Sequence, residues 1–206
     1  MEDARESARA GAHYVGAVHV PSSPRCVEVE LARELGREAG VPLVLVVAGL
    51  EAGEVIRKAQ EAEAGVVQLH GGEGPELVRI VREGGPWKVW VAVSVRGPAR
   101  LRERLQELGP EVDGVLLDTW DRERLGGTGR TFAWDAGARV REMLPQGTLL
   151  AVAGGLRPGN VRAATEALRP DVVDVSSGVE AEPRRKDVEK IRSFVREVRR
   201  SGGGLG

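Results

Sequence analysis

The chain has 206 residues, with 30 basic and 31 acidic side chains and a formal net charge of −1. No large single-sign field is present to gather nucleic acid or an anionic membrane, so any anion must be bound locally. A hydrophobic fraction of 41% and a charged fraction of 30% suit a packed core and exclude a wholly disordered chain.

Other features of composition narrow the class further. Cys26 is the one cysteine, which excludes an internal disulfide and any cysteine-cluster zinc site and suits a reducing compartment. The opening MEDARESARAG has no apolar signal region. The longest apolar stretch, Val41 to Leu50, is interrupted by Pro42 and falls far below the ~20 residues that span a bilayer. A cytoplasmic, non-membrane chain is expected. Four Trp, two Phe and one Tyr leave the core to Val, Leu and Ala, and 28 glycines are about twice the ~7% of average usage.

In chain order, a helical pattern at Glu2 to Gly11 precedes the apolar run YVGAVHV (Tyr14 to Val20). A helix over Val27 to Ala39 leads to PLVLVVA (Pro42 to Ala48), and one over Gly53 to Glu63 to GVVQLH (Gly65 to His70). Helices at Gly74 to Glu83 and Pro98 to Leu108 precede VWVAV (Val89 to Val93) and GVLLD (Gly114 to Asp118), respectively. Then come a helix at Trp134 to Met143, TLLAVAGG (Thr148 to Gly155), a helix at Pro158 to Leu168, VVDVSS (Val172 to Ser177) and a helix at Arg185 to Arg199. The runs are rich in Val and Leu and nearly continuous, as a parallel sheet covered on both faces requires, and the spacers are long enough for helical crossovers.

The chain opens and closes on a helix. In a repeat where each helix follows its strand, one strand is missing before Met1. The expected fold class is therefore α/β, a (βα)8 TIM barrel lacking its first β-strand in this chain. It is read as one barrel domain over residues 1–200 beginning at the first helix, with residues 201–206 a disordered Gly-rich tail.

In such a barrel, chemistry sits at the C-terminal ends of the strands, and phosphate is often held by the loops after the last two. After the run ending at Gly155 comes AGGLRPGN, where Gly154 and Gly155 let backbone N–H groups approach an anion and Pro158 can start a helix. After the last run comes DVSSGVE, with Asp174, the Ser176 and Ser177 hydroxyls and the unhindered backbone of Gly178. Each glycine pair alone reads as a turn, whereas the two loops together read as a phosphate cradle.

Asp118 ends GVLLD at the barrel rim. A carboxyl there can hold a proton for general acid work, or can simply cap a turn. Gln68 and His70 share a strand face. His70 is read either as a substrate ligand or as structural, and neither His13 nor His19 has metal-ligand spacing with it, so no metal is assigned. Arg25 closes VPSSPR, where its planar fork could take a carboxylate or serve as a surface charge. Cys26 stands at a helix start and is not assigned to catalysis. The tryptophans are read as packing residues and the arginine-rich last helix as a solvated face.

The motifs VVQLHGGE (Val66 to Glu73), VLLDT (Val115 to Thr119), GGTGRTFAWD (Gly126 to Asp135), AGGLRPGNV (Ala153 to Val161) and RPDVVDVSSGVE (Arg169 to Glu180) together resemble the phosphoribosylanthranilate isomerase family of tryptophan biosynthesis. The resemblance is collinear from Glu2 to the last helix. It implies a (βα)8 barrel that catalyses an Amadori rearrangement, with no cofactor and a phosphorylated small-molecule substrate. It also implies Asp118 as general acid and Arg25 as the ligand of the substrate carboxylate. Gly154, Gly155, Asp174 and Ser176 match the family's phosphate site, with Ser177 and Gly178 beside them, and Gly126 to Trp134 matches its mobile segment.

One element of the family pattern is absent: the general-base cysteine of a lysine-isoleucine-cysteine-glycine motif on the first strand. Cys26 does not align with it, so impaired turnover is expected of these 206 residues. The alternatives are another sugar-phosphate barrel enzyme or a non-catalytic phosphate-binding subunit. No nucleic-acid or membrane partner is expected, and the chain is read as a monomer or homodimer.

Overall fold

A computed structural model describes residues 1–94, 98–118 and 140–201. Helices and strands alternate: α1 (Glu2–Ala10), β1 (Val15–His19), α2 (Val29–Ala39), β2 (Leu43–Val47), α3 (Ala52–Glu61), β3 (Val66–Leu69), α4 (Pro75–Glu83), β4 (Lys88–Ser94), α5 (Pro98–Leu108) and β5 (Gly114–Asp118). They continue with α6 (Val140–Met143), β6 (Leu149–Ala153), α7 (Val161–Leu168), β7 (Val172–Val173), a 3-10 turn (Ser177–Val179), β8 (Glu180–Glu182), β9 (Arg185–Lys186) and α8 (Val188–Ser201). Strand order follows chain order from β1 to β7. Among the described residues no helix is long and apolar enough to cross a membrane.

Contacts divide the chain into two compact units, one of Met1–Ala92 with Glu107–Gly114 and one of Val93–Gln106 with Val115–Gly206. In the first unit β1, β2, β3 and β4 pair in parallel, with His19 opposite Val47, Val46 opposite Gln68 and Gln68 opposite Trp90. All four residues of β3 are buried. A strand buried on both faces explains why the sequence shows a continuous apolar run rather than alternation. The helices show the complementary pattern, each burying one stripe: Val29 and Ala32 in α2, Val55 and Ala59 in α3, Val78 and Val81 in α4. Spacings of three and four residues place each pair on one helical face.

Trp87 and Trp90 are buried. The Trp87 indole N–H donates to the Val81 carbonyl at 3.0 Å, and Trp90 meets Tyr14 edge-to-face at 5.2 Å. The Asp113 carboxylate accepts the Val89 N–H at 2.9 Å and pairs with Arg82 and Lys88, satisfying the start of β4.

In the second unit β6 and β7 pair in parallel, Val152 opposite Val173. The same device recurs there: the Asp171 carboxylate accepts the Leu150 N–H at 2.8 Å and the Arg141 guanidinium at 2.8 Å. Val161, Ala164 and Leu168 of α7, and Ile191 and Phe194 of α8, form the buried stripes.

Two elements differ from the sequence expectation. The last apolar run forms a strand only at Val172–Val173, because Ser176 turns at φ −116°, ψ −85° and ends the extended backbone. The last helix starts at Val188 rather than Arg185, since Arg185 and Lys186 pair antiparallel with Glu180 and Glu182 around a turn in which Arg184 has φ +73°. The N-terminal part of the helix expected at Trp134 to Met143 lies outside the described residues.

Candidate active site

The first unit supplies one group of candidates. Arg25 lies in the loop after β1 and is half-buried. Its backbone N–H donates to Ser23 Oγ at 3.2 Å, and the Ser23 N–H reaches the Val20 carbonyl at 2.8 Å, so local turns shape this loop. The far end of the loop is held by His19. This buried residue closes β1, with Nδ1 2.9 Å from the Val27 carbonyl. A carbonyl only accepts, so the ring N–H lies on Nδ1 and donates. Cys26, half-buried, has Sγ 4.0 Å from the Val27 carbonyl and stands in the Arg25 loop, where it bridges in parallel to Val18 of β1.

Gln68 is buried in β3 and His70 is exposed just beyond it. Gln68 Nε2 lies 3.4 Å from His70 Nδ1, so the amide can donate to the ring. The His70 N–H donates to the Val47 carbonyl at 2.9 Å. Sequence reasoning missed Glu73, whose carboxylate accepts the N–H of Gly71 at 2.8 Å and of Gly49 at 3.4 Å. One side chain thus fastens the loop after β2 to the loop after β3. A Cβ on Gly71 would stand 2.5 Å from Glu73 Oε1 and 3.1 Å from the Gly49 nitrogen, so a side chain there would displace the Glu73 carboxylate.

The second unit supplies the other group. Asp118 is the last residue of β5, half-buried after four buried residues. Gly154 and Gly155 follow β6 with φ +87° and +63°, two consecutive left-handed residues that strongly favour glycine. Asn160 closes this loop, its Oδ1 accepting the Arg157 N–H at 2.8 Å and its Nδ2 donating to the Gly155 carbonyl at 3.1 Å. Its part was also missed, although an asparagine five residues after a glycine turn and just before a helix is a legible signal.

The loop after β7 carries Asp174, Ser176 and Ser177, all exposed, and Gly178, half-buried. The Asp174 N–H donates to the Val152 carbonyl at 2.8 Å. Gly178 packs so closely on the loop after β6 that a Cβ there would be driven into the Leu156 carbonyl oxygen. The two glycine-bearing loops are therefore in contact at the end of the β6–β7 pair, and that contact depends on a residue without a side chain. The segment Gly126 to Trp134 and its neighbours lie outside the described residues.

Residues 1–197 match the model of the N-(5'-phosphoribosyl)anthranilate isomerase family. The chain belongs to this family. It is 45% identical over 197 residues to the N-(5'-phosphoribosyl)anthranilate isomerase of Rubrobacter xylanophilus, covering 95% of this chain and 92% of that protein. It is 34% identical to the Aquifex aeolicus enzyme of the same name over 97% of this chain and 94% of that one. Among solved structures, phosphoribosyl anthranilate isomerase from Thermotoga maritima superposes with a TM-score of 0.84 at 37% identity, over 96% of this chain and 93% of that chain. A phosphoribosyl anthranilate isomerase in complex with reduced 1-(o-carboxyphenylamino)-1-deoxyribulose 5-phosphate gives 0.81 at 34% identity, with the same coverage of both chains. The fold class is thus the α/β barrel type of these family structures. Orotidine 5'-phosphate decarboxylase from Pyrococcus horikoshii, at 19% identity and a TM-score of 0.67, shares the fold alone.

Proposed function

We propose that the chain isomerises N-(5'-phosphoribosyl)anthranilate to 1-(2-carboxyphenylamino)-1-deoxyribulose 5-phosphate, an Amadori rearrangement of tryptophan biosynthesis, in the cytoplasm, as a monomer or homodimer and without a cofactor. In the first step a proton from the Asp118 carboxyl goes to the ribose ring oxygen as the C1′–O bond opens, leaving a Schiff base to the anthranilate nitrogen. In the second a base removes the C2′ proton, and the electron pair moves to the imine carbon and nitrogen, giving an enol-amine. Its tautomerisation yields the ketose. Arg25 takes the anthranilate carboxylate through its planar fork, with Gln68 and His70 on the same side of the substrate. Backbone N–H groups around Gly154, Gly155, Ser177 and Gly178, with the Ser176 hydroxyl, hold the phosphate, and Asp174 stands beside them in the same loop.

The observation that carries this reading is the coincidence of the family match with the close contact of Gly178 and Leu156, which brings two anion-suited loops together. Cys26 stands in the Arg25 loop and is given no part in this reaction. Turnover of N-(5'-phosphoribosyl)anthranilate by the chain, alongside calorimetric binding of the reduced product analogue, tests both parts. Tight binding of the analogue together with turnover of N-(5'-phosphoribosyl)anthranilate is the expected result. Failure to bind the analogue contradicts the proposal.

A further inference from the structure

The loop after β7 is held from behind by two lysines that the mechanism does not use. Lys186 Nζ donates to the Ser176 carbonyl at 3.0 Å and lies 3.4 Å from Glu180 Oε1. Lys190 Nζ donates to the Glu180 carbonyl at 2.7 Å. The Glu180 side chain is 6% exposed and that of Lys186 24%, so the carboxylate is a buried seat for the ammonium rather than a loose surface partner. Backbone bonds complete the strap, with the Asp187 N–H donating to the Val179 carbonyl at 2.8 Å and Glu180 pairing with Lys186 across the β8–β9 hairpin.

What the strap holds is one peptide plane. Ser176 has φ −116° and ψ −85°, outside both the helical and the extended regions, and its carbonyl accepts a long backbone bond of 3.4 Å from the Val179 N–H beside the shorter 3.0 Å bond from Lys186. A trans peptide is planar, and its C=O and the following N–H point in opposite directions. An ammonium that fixes the Ser176 carbonyl therefore also fixes the direction of the Ser177 N–H. We infer that Lys186, seated by Glu180, is a positioning residue that aims the Ser177 N–H at the substrate phosphate by holding the Ser176 carbonyl. Lys186 acts through the backbone, and its charge is spent on a carbonyl and a carboxylate. The inference rests on the phosphate reading of this loop.

The test is the affinity of the full chain for inorganic phosphate, with amide resonances followed in parallel. Lys186→Met is expected to weaken phosphate binding about tenfold, the loss of one charge-assisted hydrogen bond from the loop's support, while Lys186→Arg, which can still reach the carbonyl, stays within about threefold of the parent. A change under about threefold in Lys186→Met overturns the inference and leaves the cradle standing. An equal loss in a folded Lys186→Arg marks a packing role and overturns it too. Absence of phosphate binding by the parent chain overturns the phosphate reading itself. Should Lys186→Met not fold, Lys186→Gln serves in its place, and a Ser177 amide that responds to phosphate as in the parent overturns the inference.

Discussion

The two units carry their candidate groups by different means. In the first, the candidate contacts are side chains, namely Arg25, Gln68 and His70, on loops fastened by His19 and Glu73. In the second, apart from the Asp118 carboxyl, the phosphate candidates are mostly backbone. Left-handed Gly154 and Gly155 and the closely packed Gly178 are supported from outside by Asn160 and Lys186. A flat carboxylate is matched by a planar guanidinium, whereas a phosphate dianion is matched by several convergent N–H groups. The lesson is that replacements in the first unit should remove individual contacts, while replacements in the second should disturb a surface.

The largest expected effect belongs to Asp118. Asp118→Asn keeps the shape and removes the proton donor, so kcat should fall by about 10²- to 10⁴-fold while affinity for the reduced product analogue changes by less than about threefold. Unchanged kcat in stopped assays removes Asp118 from the acid role.

Gly178→Ala comes next. Its methyl must push the Leu156 carbonyl away, which should cost about 1–3 kcal/mol of stability as overpacking does and weaken phosphate binding by tenfold or more on the order of that energy. Denaturant unfolding and phosphate titration check both. A stable variant with parental phosphate affinity would show that the contact between the two loops is not needed for anion binding.

Arg25→Ala sharpens the comparison from the other side. It should weaken the carboxylate-bearing analogue by roughly tenfold, the worth of a charge-assisted pair, and leave inorganic phosphate affinity untouched. Loss of both affinities together would mean that the two ends are not separable.

The smallest effect lies on the outer surface. The Arg37 guanidinium donates two hydrogen bonds to Glu63 and holds its carboxyl below the ordinary value of 4.5. A depressed carboxylate stabilises the fold above that value, and the contribution is lost as pH falls through the folded pKa. Because both groups are open to solvent, Glu63→Gln should lower the thermal midpoint at pH 7 by only about 1–2 °C and should lower it less at pH 3. An equal drop at both pH values would assign the effect to packing.

Much of this architecture is legible in the sequence, for reasons that differ from element to element. Runs such as Val66 to Leu69 and Gly114 to Asp118 are continuous because both strand faces are buried, and the helical spacers bury one stripe each. Asp118 at a strand end and the consecutive glycines at Gly154 and Gly155 are visible as residue type and position. The strap at Glu180 to Lys190 is not. EAEPRRKD has no apolar alternation, because its hairpin is held by lysine bonds to carbonyls and a carboxylate, so its last residues, from Arg185 on, read as the start of a charged helix. Glu73 escaped notice for a related reason: its partners are the N–H groups of Gly71 and Gly49, which carry no side-chain signature. Where side-chain chemistry makes the site, the sequence displays it; where backbone direction makes it, only the folded chain does.

The central claim is that the loops after β6 and β7 bind the phosphate of one phosphorylated substrate through their backbone. Titrating the isotopically labelled chain with the reduced product analogue and following amide resonances tests it most directly. The account predicts that the Gly154, Gly155, Ser177 and Gly178 amides shift together along one saturation curve. Saturating binding that leaves these four unmoved would contradict it.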